Sequence, residues 1–300
     1  MNRAKPAQLA KLTKLAPKQG GKRGSIPLNA PYLVWCVIFI VVPLLMVAWY
    51  AFRDREGQWT LCNFIELADT PERLETHLRV FGHSLAYAGI ATVICLVLAY
   101  PLAYYMAHTK QNTQRNLMML ITVPMWMNFL ICTYSWISIL GTNNGLLNGL
   151  LAWLGLPKVA ILHTPGAVIL GMVYNYLPFM ILPIYTVMAK LEPSLVEAAQ
   201  DLGATGPQVM RKVTLPLSLP GIASGVAMVF VPSVSTFYIS KKMGGNKDLL
   251  IGDLIESMFL TADNYQRGAA LSLILMVIVV LSMMVMRRYS DGENDAFVMT

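Results

Sequence analysis

The chain has 300 residues, of which 56% are hydrophobic and only 13% charged, about half the charged share of an average soluble domain. That deficit excludes a disordered chain, a nucleic-acid-binding domain and most soluble enzymes. Lys and Arg outnumber Asp and Glu by 23 to 16, leaving +7, and the meaning of that excess lies in where the charges fall.

Residues 1–30 carry seven Lys/Arg and no acid. They read as a basic cytoplasmic tail. A cleaved signal peptide does not fit, because the apolar segment that follows is too long and no small-residue cleavage site comes after it. Beyond the tail, six stretches lack Asp, Glu, Lys and Arg: 31–52, 84–107, 117–140, 165–189, 217–239 and 268–286. Each is long enough for a helix to cross a hydrocarbon core of about 30 Å. The expectation is an all-α membrane protein with six transmembrane helices. Its transmembrane domain covers 31–286, and a cytoplasmic C-terminal tail covers 287–300. Two further helices are expected outside the spans. One is amphipathic, near 71–80. The other is interfacial, within 143–154, with Trp153 at headgroup depth.

Charge fixes the orientation. With the N-terminal tail inside, the inner segments hold 14 Lys/Arg and six Asp/Glu, and the outer segments hold nine and ten. The net charges are then +8 inside and −1 outside, so a multi-pass membrane protein with both termini in the cytoplasm is expected.

The spans hold no ionisable Asp, Glu, Lys or Arg, which argues against a self-powered carrier. They do hold polar and aromatic residues. The third carries Trp126, Asn128 and Tyr134 after Pro124, and the fourth carries Tyr174, Asn175 and Tyr176 before Pro178. Helix packing and proline kinks are the plainer reading of any one of them. As a cluster they are candidates to line a path for a polar or cationic solute, since aromatic faces attract ammonium groups. Trp126 and Tyr134, eight apart, are expected on one face of one helix. In the loop before the last span, Asp248, Asp253, Glu256 and Asp263 suggest an acidic vestibule, with Asp253 and Glu256 sharing a helix face; an ordinary solvated loop is the alternative.

Catalytic and metal signatures are missing. There is no P-loop, no nucleophile elbow, and the four histidines lack ligand spacing. Cys36, Cys62, Cys95 and Cys132 are scattered, with no CxxC pair to indicate zinc or a disulfide framework. No cofactor and no catalytic residue is expected in this chain.

The informative segment is the inner loop 191–216. Pro193 suits the first turn of a helix and Gly203 the left-handed position that ends it. Thr205 can cap a second helix with Pro207 in its first turn, and Pro216 is expected to stop that helix and open the fifth span. Ala198 and Ala199 keep one surface thin enough for another protein to close around it. Glu197 is well placed against the helix dipole.

This loop resembles the signature of ABC importer permeases: Glu-Ala-Ala, three residues, Gly, nine residues, Ile, one residue, Leu-Pro. Here those positions are Glu197, Ala198, Ala199, Gly203, Val213, Leu215 and Pro216, with valine in place of isoleucine. The resemblance extends over nearly the whole chain after residue 30. Through 174–185, 197–203 and 237–252 the chain looks most like the spermidine/putrescine permeases of the type I importers. The resemblance implies the type I ABC importer (MetI-like) permease fold, with 191–216 as the coupling loop that docks into a cytoplasmic ATPase. It also implies a second, PotC-like permease subunit, two ATPase subunits that bind ATP and Mg, and an extracytoplasmic polyamine-binding protein. A permease of this class for another small solute, or a gated channel working without an ATPase, stays open as an alternative.

Overall fold

A computed structural model describes residues 26–54, 56–143, 145–245, 249–262 and 264–298. The described residues are helical apart from loops and one isolated bridge between Arg53 and Trp59. The chain divides into two units, one up to Trp49 and one from Tyr50 onward.

The first unit holds most of a single helix, α1, at 26–51, with a π turn at Val37–Val41. It begins inside the stretch expected to be tail; the rest of that tail, 1–25, lies outside the described residues. From Tyr32 to Leu45 its large apolar side chains are exposed, as suits a helix surrounded by lipid.

In the second unit, the loop after α1 folds around Asn63. This residue lies in the one-turn helix α2 (Cys62–Ile65) and donates to the carbonyls of Ala51 and Arg53, each at 2.8 Å. The long helix α3, Pro71–Ala107, follows. Pro71 is preorganised for its first turn, and nothing between 80 and 84 interrupts it. At 37 residues it is about 55 Å long. The amphipathic helix expected at 71–80 is therefore the first part of the helix that carries the second span.

The third span departs from expectation. It is two helices, α4 (Gln111–Trp126) and α5 (Phe129–Leu140), bent by 93°. Pro124 weakens the end of α4, and Met127 and Asn128 then take extended angles. The Asn128 side chain restarts the helix by accepting from Leu130 N at 2.8 Å, an N-cap that competes with continuation of α4. Then come α6 (Leu146–Trp153), with Trp153 strongly exposed, and α7 (Pro165–Met188).

After the hairpin that follows α7, α9 runs unbroken over Gly206–Val234. Pro216 does not stop it. A π turn at Met210–Thr214 lets Leu215 N pair with Met210 O, so the hydrogen-bond register shifts by one residue immediately before the proline. A further π turn, Ser240–Gly244, leads to α10 (Ile251–Leu260) and then α11, Tyr265–Val298. The last helix continues through the segment expected to be a separate tail. Among the described residues, five helices are long and apolar enough to cross a membrane, and the bent α4–α5 pair makes six.

The core lies where α3, α7 and α9 meet. Ala88, Ala91, Cys95, Ala99 and Ala103 form a fully buried stripe of small residues along α3, and Met172, Met180, Ile181 and Ile184 of α7 fill the space beside it. Gly221 and Gly225 bring α9 against α7. A Cβ on Gly221 would come within 3.0 Å of Pro183 O, and one on Gly225 within 2.7 Å of Met180 Sδ. Small residues of this kind let membrane helices approach closely.

Candidate functional site

The hairpin between α7 and α9 begins with α8, Pro193–Asp201, whose N-cap is Glu192. Gly203 ends it with φ +84°. Gly203 N donates to Gln200 O at 2.8 Å and Ala204 N to Ala199 O at 3.0 Å, the paired bonds of a Schellman turn. Thr205 and Gln208 then cap α9 reciprocally, with Thr205 N donating to Gln208 Oε1 at 2.8 Å. The two caps fix the angle of the hairpin with local bonds alone.

What the hairpin presents is exposed. Glu197 and Ala198 face outward, and Ala199 is half-buried. Leu202, immediately before the turn, is 89% exposed. A cover for this side chain, beside the charged Glu197, would have to come from outside the hairpin. Sequence reasoning passed over it; the signal was a leucine directly before the glycine that ends the helix. Val213, Leu215 and Pro216 are not at a loop end. They lie in the π turn of α9 and the α-helical turn that follows it, where Thr214 and Ser218 are buried. Tyr100 of α3 reaches this region, its hydroxyl 3.3 Å from Ser218 Oγ. The hairpin is thus tied to the base of the second span.

The candidate path residues are only partly brought together. The bend between α4 and α5 corrects the expectation that Trp126 and Tyr134 share a helix face: they lie on different helices, with Trp126 at 90% exposure. Asn128 uses its carbonyl oxygen as the cap of α5. Asn175 donates from its amide nitrogen to Gly171 O at 2.8 Å. Tyr174 meets Trp136 edge-on at 5.4 Å. Tyr176 sits between α7 and α9, its hydroxyl 3.4 Å from Pro232 O. Tyr134 belongs to a group that the sequence did not assemble. Tyr238 lies edge-on to it at 6.4 Å, Phe129 is 5.9 Å from Tyr238, and the Lys242 ammonium lies 5.7 Å from the Tyr134 ring.

The acidic pair is also changed. Asp253 is buried, not solvated. Its Oδ2 accepts from Leu250 N at 2.9 Å and caps α10. Burial pushes its pKa up to about 6, against the opposing pull of the Leu250 amide and the Ser240 hydroxyl. Glu256 pairs with Lys241 at 2.8 Å. The two carboxylates therefore do not form one open acidic surface, and Asp248 and Asp263 lie outside the described residues. Ser84 of α3 accepts from Ile251 N at 2.8 Å and pins the start of α10. Arg267 at the start of α11 is held to Glu66, with Nε 2.6 Å from the carboxylate.

Residues 99–292 match the family of binding-protein-dependent transport system inner membrane components. The chain is 39% identical to the spermidine/putrescine transport system permease protein PotB of Escherichia coli (strain K12), over 87% of this chain and 95% of that one. It is 38% identical to PotB of Haemophilus influenzae, over 87% and 92%. Among solved structures, a bacterial ABC transporter involved in the import of the acidic polysaccharide alginate superposes with a TM-score of 0.75 at 18% identity, covering 95% of this chain and 99% of that one. The MetNI methionine ABC transporter, in an inward-facing conformation, gives a TM-score of 0.56 at 18% identity, covering 74% and 98%. These last two likenesses concern the fold.

Proposed function

We propose that this chain, which belongs to the family of binding-protein-dependent transport system inner membrane components, is a permease subunit of an ATP-driven polyamine importer. The observation that carries the coupling role is the exposed hairpin 197–203, closed by a glycine turn and continuous with a membrane helix. Likeness to the spermidine/putrescine permeases supports the substrate class.

In this reading a cytoplasmic ATPase closes around Glu197, Ala198, Ala199 and Leu202. Its motion passes through Gly203 and the π turn of α9, which bears Val213, to Leu215 and Pro216 and so to the core helices. A second, PotC-like permease completes the path, two ATPase subunits bind ATP and Mg, and an extracytoplasmic binding protein delivers the polyamine. Both termini lie in the cytoplasm. Trp126, Asn128, Tyr134, Tyr174, Asn175, Tyr176 and Glu256 are the candidates to face the solute, and Asp253 holds α10 beside them. Tyr134 and Glu256 are the strongest, because each already meets a cation. The family carries no chemistry of its own in this chain; the residues bind, orient and gate.

Co-expression with the ATPase, the second permease and the binding protein, followed by reconstitution in liposomes, tests the reading. ATP-dependent uptake of radiolabelled putrescine or spermidine is expected. Co-purification of the ATPase without polyamine uptake would point to an importer of another solute. Failure of the ATPase to co-purify at all would point to a channel.

A further inference from the structure

The turn that joins α9 to α10 carries two adjacent lysines, and each lies against a group that attracts cations. Lys241 Nζ is 2.8 Å from Glu256 Oε2. Lys242 Nζ is 5.7 Å from the centroid of the Tyr134 ring, backed by Tyr238. The backbone beneath them is fixed. His163 N donates to Met243 O at 2.8 Å, and Ile239 and Met243 are fully buried against Gly171. The side chains are freer: half of the Lys241 side chain is exposed, against 20% of Glu256. Long lysine stems can swing their ammonium groups without moving the main chain.

Glu256 also lines a cavity of about 440 Å³, together with Ser235, Phe237, Ser272 and Leu275. One carboxylate, two hydroxyls and apolar walls suit a polymethylene chain that ends in an ammonium group. Resting on the polyamine reading above, we propose that Lys241 and Lys242 are tethered competitors for the transported cation. Their ammonium groups hold Glu256 and the Tyr134 face until a di- or polyamine displaces them. The turn presents two ammonium groups on one short stretch of backbone, the same chemistry as the diamine that replaces them. Such an exchange solves a problem that any path for a polycation has. A bare, partly desolvated carboxylate would hold the first cation too firmly to release it, whereas binding along a path must be weak enough to leave. Exchange of one ammonium for another keeps Glu256 neutralised throughout while lowering the net affinity.

The test uses the complete reconstituted complex and putrescine as the probe. Uptake KM and kcat are measured for Lys241→Gln, Glu256→Gln and the double variant, and for Lys242→Gln, Tyr134→Leu and their double variant. Removing a resident lysine is expected to lower KM about two- to fivefold, the size of a partly exposed ion pair. Glu256→Gln is expected to raise KM. In the Glu256→Gln background Lys241→Gln should change little, because its partner is already gone. Lys241→Arg should behave as the wild type. If Lys241→Gln lowers KM equally with and without Glu256, the lysine acts only by general repulsion and the proposal fails. It also fails if neither lysine variant lowers KM. If the wild-type complex takes up neither putrescine nor spermidine, the polyamine reading fails as well, and that outcome is distinct from a wild type that transports while its lysine variants leave KM unchanged.

Discussion

Gly203 and Asp253 show how single residues set local geometry, one closing the hairpin and the other starting α10. At Gly203 the backbone takes φ +84°, and a Cβ built there meets nothing within 4 Å. Space is therefore not the constraint; the left-handed conformation is, at about 1–2 kcal/mol for a residue with a Cβ. Gly203→Val should insert and assemble normally, because the cost is borne locally. It should nevertheless tilt α8 and lower uptake far more than ATP hydrolysis, so the ratio of the two rates in proteoliposomes is the measurement. Normal uptake would refute the role. Asp253 is the opposite case, a buried carboxyl that caps a helix. Its folded pKa is raised to about 6, so between the unfolded value near 4 and about 6 the folded state binds more protons than the unfolded one. Stability is then greatest below that window and falls as pH rises through it. Detergent-solubilised protein should melt at a higher temperature at pH 5 than at pH 7.5. Asp253→Asn keeps an oxygen for Leu250 N and has no charge to bury, so the pH difference should shrink sharply. An unchanged difference would move its origin to another group.

Among the elements, the packing of α9 on α7 and the break between α4 and α5 carry the most information. Gly221 faces backbone atoms of Pro183 and Ile184 at 3.0 and 3.1 Å from a built Cβ, whereas Gly89 of α3 has nothing within 4 Å. A Gly to Ala change inside a helix should gain about 1 kcal/mol from backbone entropy where there is room. Gly89→Ala is therefore expected to hold or raise the melting temperature, and Gly221→Ala to lower it, since backbone cannot yield as a side-chain tip can. The same order in both variants would show that α7 and α9 are not in tight contact. The spans themselves were legible in the sequence because a lack of charge over about 20 residues is a strong, one-dimensional signal. The hairpin was legible because Gly203, Thr205 and Pro207 act locally. The break after Trp126 was half-legible: Pro124 marked a kink, but the choice of Asn128 to cap a new helix at 93° is made by competition between two local structures. The continuation past Pro216 was not legible, because a π turn has no sequence mark of its own. The Lys242–Tyr134 contact joins elements far apart in sequence, and the Lys241–Glu256 contact crosses from a turn to the next helix. No periodicity reports them.

At the scale of the whole molecule, the exposed apolar surface is too large for a chain that stands alone in water. Most of it lies on helices with the length to cross a bilayer, where lipid suits it as a cover. The hairpin is different. Leu202 and Leu195 are exposed at 89% and 42% on an element outside the candidate spans, and under the proposed function the ATPase is their cover, with the charged neighbour Glu197 making the nature of that contact testable. An attraction between exposed charges is screened as salt rises, with a Debye length of about 3 Å at 1 M; apolar burial is not weakened that way. Leu202→Ser should thus release the ATPase during purification at low and high salt alike. Glu197→Lys should release it mainly at low salt, where repulsion replaces attraction, and should recover part of the binding at high salt. Glu197→Gln should fall between it and the wild type. The readout is the amount of ATPase retained on the tagged permease across a salt series. If Glu197→Lys and Glu197→Gln lose the ATPase equally at every salt concentration, the contact at Glu197 is steric, and Leu202 with its helix geometry holds the ATPase alone.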